Sequence, residues 1–394
     1  MAEVDFGPLM QVLSRPRPNG TAANRETLMA LCRWLEEREI PYRIHEFVLY
    51  PFFFEAIGAW LLLSRTLLAI ATLGHWGWLT FLIAVAGLLG GTLDVALGWP
   101  LVSWPGQMVG RNLFMEFGPA YASRELVLSA HYDSKTELLD HRRRAVLQRF
   151  VRVGMVLTLV VGALGWAEGW VGQIDRVWGM VVYALAVLLA LPVLGLAWAL
   201  GLNLLLGRFG RQSQGAVDNG AACAILLALA AHLARGRVRL QRTRVVLVLF
   251  NGEEQNMQGS RAWVRAREWT LPAQVLNLEL MGQDGGYVLW RQDGNAFTRT
   301  ANDAALSEMV AHAVAEISGE PPIYESWLNS DAFSFHRAGI PATTLGSRDA
   351  YWGLAGLHRP ADTAARVSTR RLREGTTILN RVIEMIDSGR VIHS

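Results

Sequence analysis

The chain has 394 residues, of which 52% are hydrophobic and 18% are charged. This balance is more apolar than a soluble protein of that length needs, so we expect membrane segments beside one large soluble domain. The formal net charge is only +3, and no basic stripe is interleaved with aromatic residues, which argues against a nucleic-acid partner. The two cysteines, Cys32 and Cys223, lie far apart in apolar helical patterns, so they cannot build a structural zinc site.

The first 50 residues are predicted to begin the soluble domain. Residues 21–38 carry apolar side chains at helical spacing, and residues 42–50 are typical of a strand after the break at Pro41. Two apolar stretches follow, roughly 53–73 and 76–97, joined by a very short turn. Each is about 20 residues long, enough to cross a hydrocarbon core about 30 Å thick, so we expect a transmembrane hairpin.

Two further strands and a second apolar pair come next in the chain. Two strands are predicted in 108–117 and 125–132, and a second apolar pair follows in 153–171 and 177–206. From residue 212 onwards the alternation of strands and helices is again that of a soluble α/β domain. The sequence therefore predicts catalytic-domain segments and hairpins in alternation: 1–50, 51–104 (first hairpin), 105–150, 151–207 (second hairpin) and 208–394.

Arginines are distributed unequally across the four predicted spans. Those next to the second hairpin lie on the side of the soluble segments: Arg142, Arg143, Arg144, Arg208 and Arg211. The opposite side has only two tiny loops. By the positive-inside rule we expect an integral protein of the cell inner membrane, with four transmembrane helices and its catalytic domain in the cytoplasm.

Two adjacent glutamates mark the end of an apolar run in the last segment. Residues 245–250 are all apolar and stop at the turn dipeptide Asn251-Gly252, directly before Glu253 and Glu254. Open α/β sheets build their sites beyond the carboxyl ends of such strands. A common division makes one carboxylate a metal ligand and the other a general base, whereas a bland alternative is an acidic turn that opens a helix.

Five short motifs at predicted strand or loop edges hold the acids and histidines of the soluble segments. They are residues 129–135 (SAHYDSK), 215–220 (GAVDNG), the glutamate pair, 277–282 (NLELMG) and 357–363 (LHRPADT). Each alone is weak, because a single strand-end acid is commonly just exposed. Two histidines with several carboxylates and no thiolate, however, favour a hydrolytic zinc site that holds one or two metals.

Together and in this order, the motifs resemble the di-zinc aminopeptidase family of metallopeptidases, whose clan also contains the glutaminyl cyclases. The resemblance covers residues 21–50, 106–140 and 212–388. It implies an α/β fold with a mixed, mostly parallel sheet flanked by helices, here interrupted by the two transmembrane hairpins. It also implies a zinc metallopeptidase that binds two Zn²⁺ ions per chain and acts on a peptide substrate beside the lipid bilayer.

The resemblance assigns a role to each matching residue. His131 and Glu279 would bind one zinc, Glu254 and His358 the other, and Asp218 would bridge the two. Asp133 would accept a hydrogen bond from the imidazole of His131 and so fix its tautomer. Glu253 would be the general base that takes a proton from the attacking water. The family also carries a cis peptide after the bridging aspartate, here Asp218–Asn219.

Three departures leave alternatives open. The family more often has aspartate where this chain has Glu279, and its Ser-Asp-His stretch is here 330–332, Ser-Asp-Ala. The string 131–135 is more similar to the cyclase branch, whereas the Asp218-Asn219 pair is more similar to the peptidases. We therefore predict an aminopeptidase that removes N-terminal residues. The alternatives are a glutaminyl cyclase-like acyltransferase and a non-enzymatic membrane receptor or scaffold that retains the fold.

Substrate-lining residues are harder to assign. Asp331 is expected beside the site, and Trp327, Tyr351 and Trp352 would form an apolar specificity pocket or simply pack in the core. The second hairpin is inserted between His131 and Asp218, so we expect the metal site to lie close to the membrane surface. The hairpins would then either only anchor the enzyme or also shape the access of hydrophobic peptides.

Overall fold

The computed structural model describes residues 4–236, 238–295, 297–326, 329–349 and 355–389. Its contacts divide the chain into two compact units, each built from separated segments. Unit 1 comprises residues 1–51, 107–136 and 211–394, and unit 2 comprises residues 52–106 and 137–210. The two units are described separately below.

Unit 1 contains a sheet of eight strands and a two-stranded ribbon. The ten strands are β1 (Arg43–Leu49), β2 (Met108–Phe117), β3 (Arg124–His131), β4 (Thr243–Phe250), β5 (Ala273–Glu279), β6 (Tyr287–Trp290), β7 (Gln292–Gly294), β8 (Arg299–Ala301), β9 (Ile323–Glu325) and β10 (Ala342–Ser347). The sheet order is β1-β2-β4-β3-β5-β10-β6-β9, and β7 pairs with β8. Four of the seven ladders in the large sheet are parallel, including β4-β3, β3-β5 and β5-β10 at its centre. The predicted mixed, mostly parallel sheet is confirmed.

Twelve α-helices complete the described fold. They are α1 (Phe6–Leu13), α2 (Ala22–Glu36), α3 (Phe53–Leu73), α4 (Gly77–Leu97), α5 (His141–Arg149), α6 (Val151–Ile174), α7 (Arg176–Leu206), α8 (Ala221–Ala234), α9 (Gln258–Ala266), α10 (Ala304–Ser318), α11 (Ala332–His336) and α12 (Thr369–Ser388). The apolar pattern of residues 217–235 predicts a single helix. Instead a π-type turn, Ala216–Gly220, precedes α8, because the backbone of Asp218 and Asn219 is not helical.

The central strands are apolar on both faces because helices cover both sides of the sheet. Along β4, Val245, Leu247 and Leu249 belong to the core that also contains residues of α1, α2, α8, α10 and α12. The alternate residues of β4, including Val248 and Phe250, belong to a second core with residues of α9 and α11. Successive side chains of a strand point to opposite faces, so one unbroken apolar run supplies both cores.

Unit 2 consists of α3 to α7 with their connections. Among the described residues, five helical segments are long and apolar enough to cross a membrane: Phe53–Leu73, Gly77–Leu97, His141–Ile174, Arg176–Phe209 and Ala216–Ala234. The first four belong to unit 2, where 22–39% of each apolar window is buried. The fifth contains α8 of unit 1 and is 94% buried, since it packs in the first sheet core. A helix that is apolar on all sides is equally suited to the centre of a soluble domain.

Unit 2 is packed through close approaches between helix backbones. A Cβ atom added to Gly58 of α3 would lie 2.7 Å from the carbonyl oxygen of Gly201 in α7. A Cβ atom added to Gly77 of α4 would lie 2.8 Å from the carbonyl oxygen of Gly165 in α6. Small residues at such crossings let helix backbones pack closely. In membrane helix bundles this close packing, rather than the hydrophobic effect, drives helix association.

The aromatic cluster on the α9 side of the sheet yields a stability test. The Trp263 ring lies 5.8 Å from Phe250, 6.0 Å from Phe335 and 5.6 Å from Trp269, measured between ring centroids. Trp263→Ala should lower the free energy of unfolding by about 3–5 kcal/mol, because the cavity cannot be refilled by neighbouring rings. The matched control is Tyr121→Ala, which removes a ring that is 81% exposed and should change little. Equal shifts of the denaturation midpoint for both variants would contradict this packing.

Candidate metal centre

Three neighbouring parallel strands deliver the strand-end residues of the site to one edge of the sheet. His131 is the last residue of β3, Glu279 is the last residue of β5, and Glu253 and Glu254 follow the end of β4. In the ladders, His131 is paired with Phe250 of β4, so the two strands end at the same level. Parallel strands place their carboxyl ends together, and the three motifs therefore converge although they are far apart in sequence.

Asp218 lies between two imidazoles. Its Oδ1 atom is 3.3 Å from Nε2 of His131, and its Oδ2 atom is 3.2 Å from Nε2 of His358. The peptide bond that follows it, Asp218–Asn219, is cis, at the position that the sequence resemblance singled out. One carboxylate thus presents each of its oxygens to a different histidine.

The remaining predicted ligands lie on either side of this bridge. Oε2 of Glu279 is 3.5 Å from Nε2 of His131, and Oε1 of Glu254 is 2.9 Å from Nε2 of His358. Glu253 reaches the first group from the side, with Oε2 at 3.8 Å from Nε2 of His131. The structure therefore brings all five predicted metal ligands and the predicted base into one small space.

This donor set fits divalent metal ions. Ligand atoms of His131, Asp218 and Glu279 lie within 4.8 Å of one another, as do those of His131, Glu253 and Glu254. Oε1 of Glu254 is buried and accepts no hydrogen bond within the described part of the chain, although an imidazole nitrogen is 2.9 Å away. Imidazole nitrogen and carboxylate oxygen are ligands that zinc prefers in hydrolytic sites.

Charge at the site is strongly unbalanced. Burial raises the pKa of Glu253 well above its usual range, with the carboxylates of Glu254 and Glu279 adding to the rise. Burial opposes ionisation of Asp218, but its contacts with His131 and His358 hold its pKa well below the ordinary value. Burial would lower the pKa of His131, yet Glu279 and Glu253 raise it well above 6.5. Positive charge is needed in this space, and a cation would supply it.

Asp133 holds three parts of the site together. Its Oδ2 accepts hydrogen bonds from Nδ2 of Asn19 at 2.6 Å and from the backbone N–H of Glu254 at 3.1 Å. Its Oδ1 is 3.6 Å from Nδ1 of His131, whereas its backbone carbonyl oxygen is closer, at 3.2 Å. The residue thus lies beside Nδ1 of His131, and its main-chain oxygen is the nearer acceptor.

Asp362 fixes the turn that carries Asp218. Its two carboxylate oxygens accept the backbone N–H groups of Val217 at 2.7 Å and Asp218 at 3.2 Å. Burial, reinforced by the charge of Asp218, raises the pKa of Asp362 to about 6. The residue lies four positions after His358, so one loop supplies both a site imidazole and an anchor for the bridging aspartate.

Arg17 was not identified from the sequence. Its guanidinium is fully buried and donates to backbone carbonyls of three separate segments, among them Leu13, Tyr132, Gln214 and Gly215. Two of these segments carry the site residues His131 and Asp218. An arginine with five donors in a rigid fork is suited to such a role, but nothing in the local sequence signals it.

The predicted substrate-lining residues divide into two groups. Asp331 lies at the start of α11, is fully buried, and interacts electrostatically with His131, Glu279 and Asp133. Burial raises its pKa to about 8, with Glu279 and Asp133 adding to the rise. Trp327, Tyr351 and Trp352 lie outside the described residues.

Comparison with known protein families agrees with this fold. Residues 203–383 match the model of Peptidase family M28. The chain therefore carries a Peptidase family M28 domain, and its fold is that of the clan of zinc aminopeptidases and glutaminyl cyclases. The matched segment includes Asp218, the glutamate pair, Glu279 and His358, whereas His131 and Asp133 precede it. No curated protein is significantly similar in sequence.

Solved structures with this fold include both branches of the clan. The LapA aminopeptidase of Legionella pneumophila is 13% identical, with a TM-score of 0.53, over 99% of this chain and 73% of that one. The zinc aminopeptidase BSAP of Bacillus subtilis is 12% identical, with a TM-score of 0.54, over 98% and 96%. The glutaminyl cyclase of Fimbriiglobus ruber is 14% identical, with a TM-score of 0.55, over 98% and 97%. At these identities the similarity shows the fold alone.

Removal of metal should destabilise unit 1. A ligand that binds only the folded state stabilises it by about 2.7 kcal/mol at a hundredfold excess over its Kd. Treatment with a chelator should therefore lower the thermal midpoint, and added Zn²⁺ should restore it, whereas added Mg²⁺, which prefers oxygen ligands, should not. The control is chelator already saturated with zinc. An unchanged midpoint after complete chelation would contradict a metal centre at these residues.

Proposed function

We propose that this protein is a membrane-anchored, zinc-dependent exopeptidase, an aminopeptidase that hydrolyses N-terminal residues from peptides. The observation that carries the proposal is Asp218, whose two oxygens lie 3.3 and 3.2 Å from the Nε2 atoms of His131 and His358. A carboxylate between two imidazoles, each with a further carboxylate beside it, supports a site for two zinc ions.

The proposed ligand sets follow from these contacts. His131 and Glu279 would bind one zinc, His358 and Glu254 the other, and Asp218 both. When bound, zinc lowers the pKa of water and polarises the scissile carbonyl group. Because each imidazole must bind through Nε2, the acceptor beside Nδ1 has to select the tautomer. For His131 that acceptor is the Asp133 residue, at 3.2 Å through its carbonyl oxygen.

Glu253 is proposed as the general base. Its carboxylate faces the ligand group without completing either set, and it is largely buried, with a side chain that is 10% exposed. A raised pKa suits a base that accepts a proton from attacking water and then donates it to the leaving amine. Asp331 is also buried, and its interaction with Glu253 adds to the rise in the pKa of that residue.

Exchange of Glu253 for Gln tests the mechanism. Glu253→Gln keeps the shape of the side chain but removes the proton acceptor, so hydrolysis of a peptide with a free amino terminus should fall at least about 100-fold. Zinc content should remain that of the wild type. Glu268→Gln, at an exposed position of the same segment, is the matched control. Near-normal turnover by the Glu253 variant would show that the assigned base is wrong.

The same assay separates the two branches of the clan. A peptide that begins with glutamine would be shortened by an aminopeptidase, whereas a glutaminyl cyclase would release ammonia without cutting the chain. The string 131–135 favours the cyclase branch, whereas the Asp218-Asn219 pair favours the peptidases. Both the shortened peptide and the released ammonia must therefore be measured. If neither forms, and the purified protein binds well under one zinc per chain, a receptor or scaffold that retains the fold would be favoured.

We further propose that α3, α4, α6 and α7 span the cell inner membrane and that the catalytic domain is cytoplasmic. The support is their length, their apolar composition and the low burial of their windows, in contrast to the fifth candidate around α8. The exposed arginines of α5, directly before α6, favour the cytoplasmic side for that end of the helix.

Thiol labelling in intact cells tests this topology. Ile174→Cys would place a thiol at a residue that is 88% exposed at the end of α6, and we expect a membrane-impermeant reagent to label it from outside. Tyr121→Cys, at an 81% exposed residue of unit 1, should be labelled only after the membrane is permeabilised. The reverse pattern would mean that the catalytic domain faces the other side.

A further inference from the structure

Glu279 is held at both of its carboxylate oxygens by side-chain amides. Nδ2 of Asn219 donates to Oε2 at 2.9 Å, and Nδ2 of Asn277 donates to Oε1 at 3.1 Å. All three side chains are buried, with exposed fractions of 0% for both asparagines and 4% for the glutamate. Because bulk water does not compete in this space, the two hydrogen bonds fix the plane of the carboxylate.

Asn277 is itself oriented by the neighbouring strand. The hydroxyl of Ser129 in β3 donates to Oδ1 of Asn277 at 2.8 Å, and the two residues are direct partners in the β3-β5 ladder. An ionised carboxylate can only accept hydrogen bonds, so the amide nitrogen of Asn277 must face Glu279. Its oxygen is then left for Ser129. The chain of contacts therefore has one consistent set of donors and acceptors.

The clamp holds a long acidic side chain. Glutamate is one methylene group longer than aspartate, so Glu279 has one more rotatable bond to fix. Asn277 is two residues earlier on the same strand, so both side chains point to the same face of the sheet. Asn219 approaches from the turn that carries Asp218 and also donates to the carbonyl oxygen of Leu278, at 2.7 Å.

We propose that Asn277, oriented by Ser129, is a positioning residue that sets the carboxylate of Glu279 for metal binding. The inference rests on the proposed function, since it assigns Glu279 to one of two zinc ions. Asn277 holds Oε1 of Glu279, whereas Oε2 lies 3.5 Å from Nε2 of His131. Without the amide, the longer glutamate would sample other rotamers, and the zinc shared by His131 and Glu279 would be bound more weakly.

Zinc affinity, measured by competition with a chelating dye, tests the inference without reference to turnover. Asn277→Ala should weaken one of the two zinc sites by about 10–100-fold and leave the other unchanged, as is usual when a partner of a ligand is removed. Thr343→Val is the matched control, because Thr343 is buried in the adjacent strand β10 and its hydroxyl is bonded to Ser307 rather than to a ligand.

Two more variants keep the test decisive if Asn277→Ala folds poorly. Ser129→Ala keeps Asn277 and should give a smaller loss at the same site, and Asn277→Asp should give a larger one, because it places a second carboxylate against Glu279. If the variants at 129 and 277 bound each zinc ion as tightly as the wild type does, the clamp alone would be overturned. A wild type that binds no zinc would overturn the proposed function, and the clamp with it.

Discussion

The burial of many carboxylates in one small space is the constraint on which the rest of the site depends. Asp133, Asp218, Glu254, Glu279 and Asp331 are all less than 10% exposed. Their mutual repulsion and loss of hydration are unfavourable unless positive charge or N–H donors face each of them. The protein meets this need with two imidazoles, with amides and with main-chain N–H groups. These donors bond to some of the carboxylate lone pairs and leave others for metal. The same arrangement therefore balances the buried charge and prepares the site to bind metal.

The supporting contacts come from parts of unit 1 that are distant in sequence. Arg17 and Asn19 belong to the first 51 residues, yet they contact the segments that carry His131 and Asp218. The backbone N–H of Glu254 is bonded to Asp133. Site geometry is therefore set by long-range contacts, and a segment limited to the matched residues 203–383 would lack both His131 and the arginine that joins the two loops. The amino-terminal segment belongs functionally to the metal site, although none of its residues is a proposed ligand.

The sequence predicted what depends on local pattern and could not predict what depends on long-range contact. Unbroken apolar runs such as 245–250 predicted buried central strands, and the acids that follow them predicted a site at the strand ends. The structure brings these residues together, and the resemblance supplied their proposed roles. Arg17 was missed because its partners are backbone carbonyls, which carry no sequence signal. Asn277 could have been found, since it lies two residues before Glu279 on the same face of a strand. The start of α8 was misplaced because the turn at Asp218 and Asn219 interrupts an otherwise helical pattern.

The strand order has a consequence for biosynthesis. β2 and β3 are not hydrogen-bonded to each other; β2 pairs with β1 and β4, and β3 pairs with β4 and β5. Until residues 243–250 leave the ribosome, β3 has no strand to join, and both apolar hairpins have by then been synthesised. The eight-stranded sheet can therefore assemble only after both hairpins have been synthesised. Until then β3, whose residues 125–131 are all buried in the folded protein, must be kept from aggregation. If the hairpins span a membrane as proposed, such a nascent chain would depend on prompt delivery to it or on a chaperone that covers this strand.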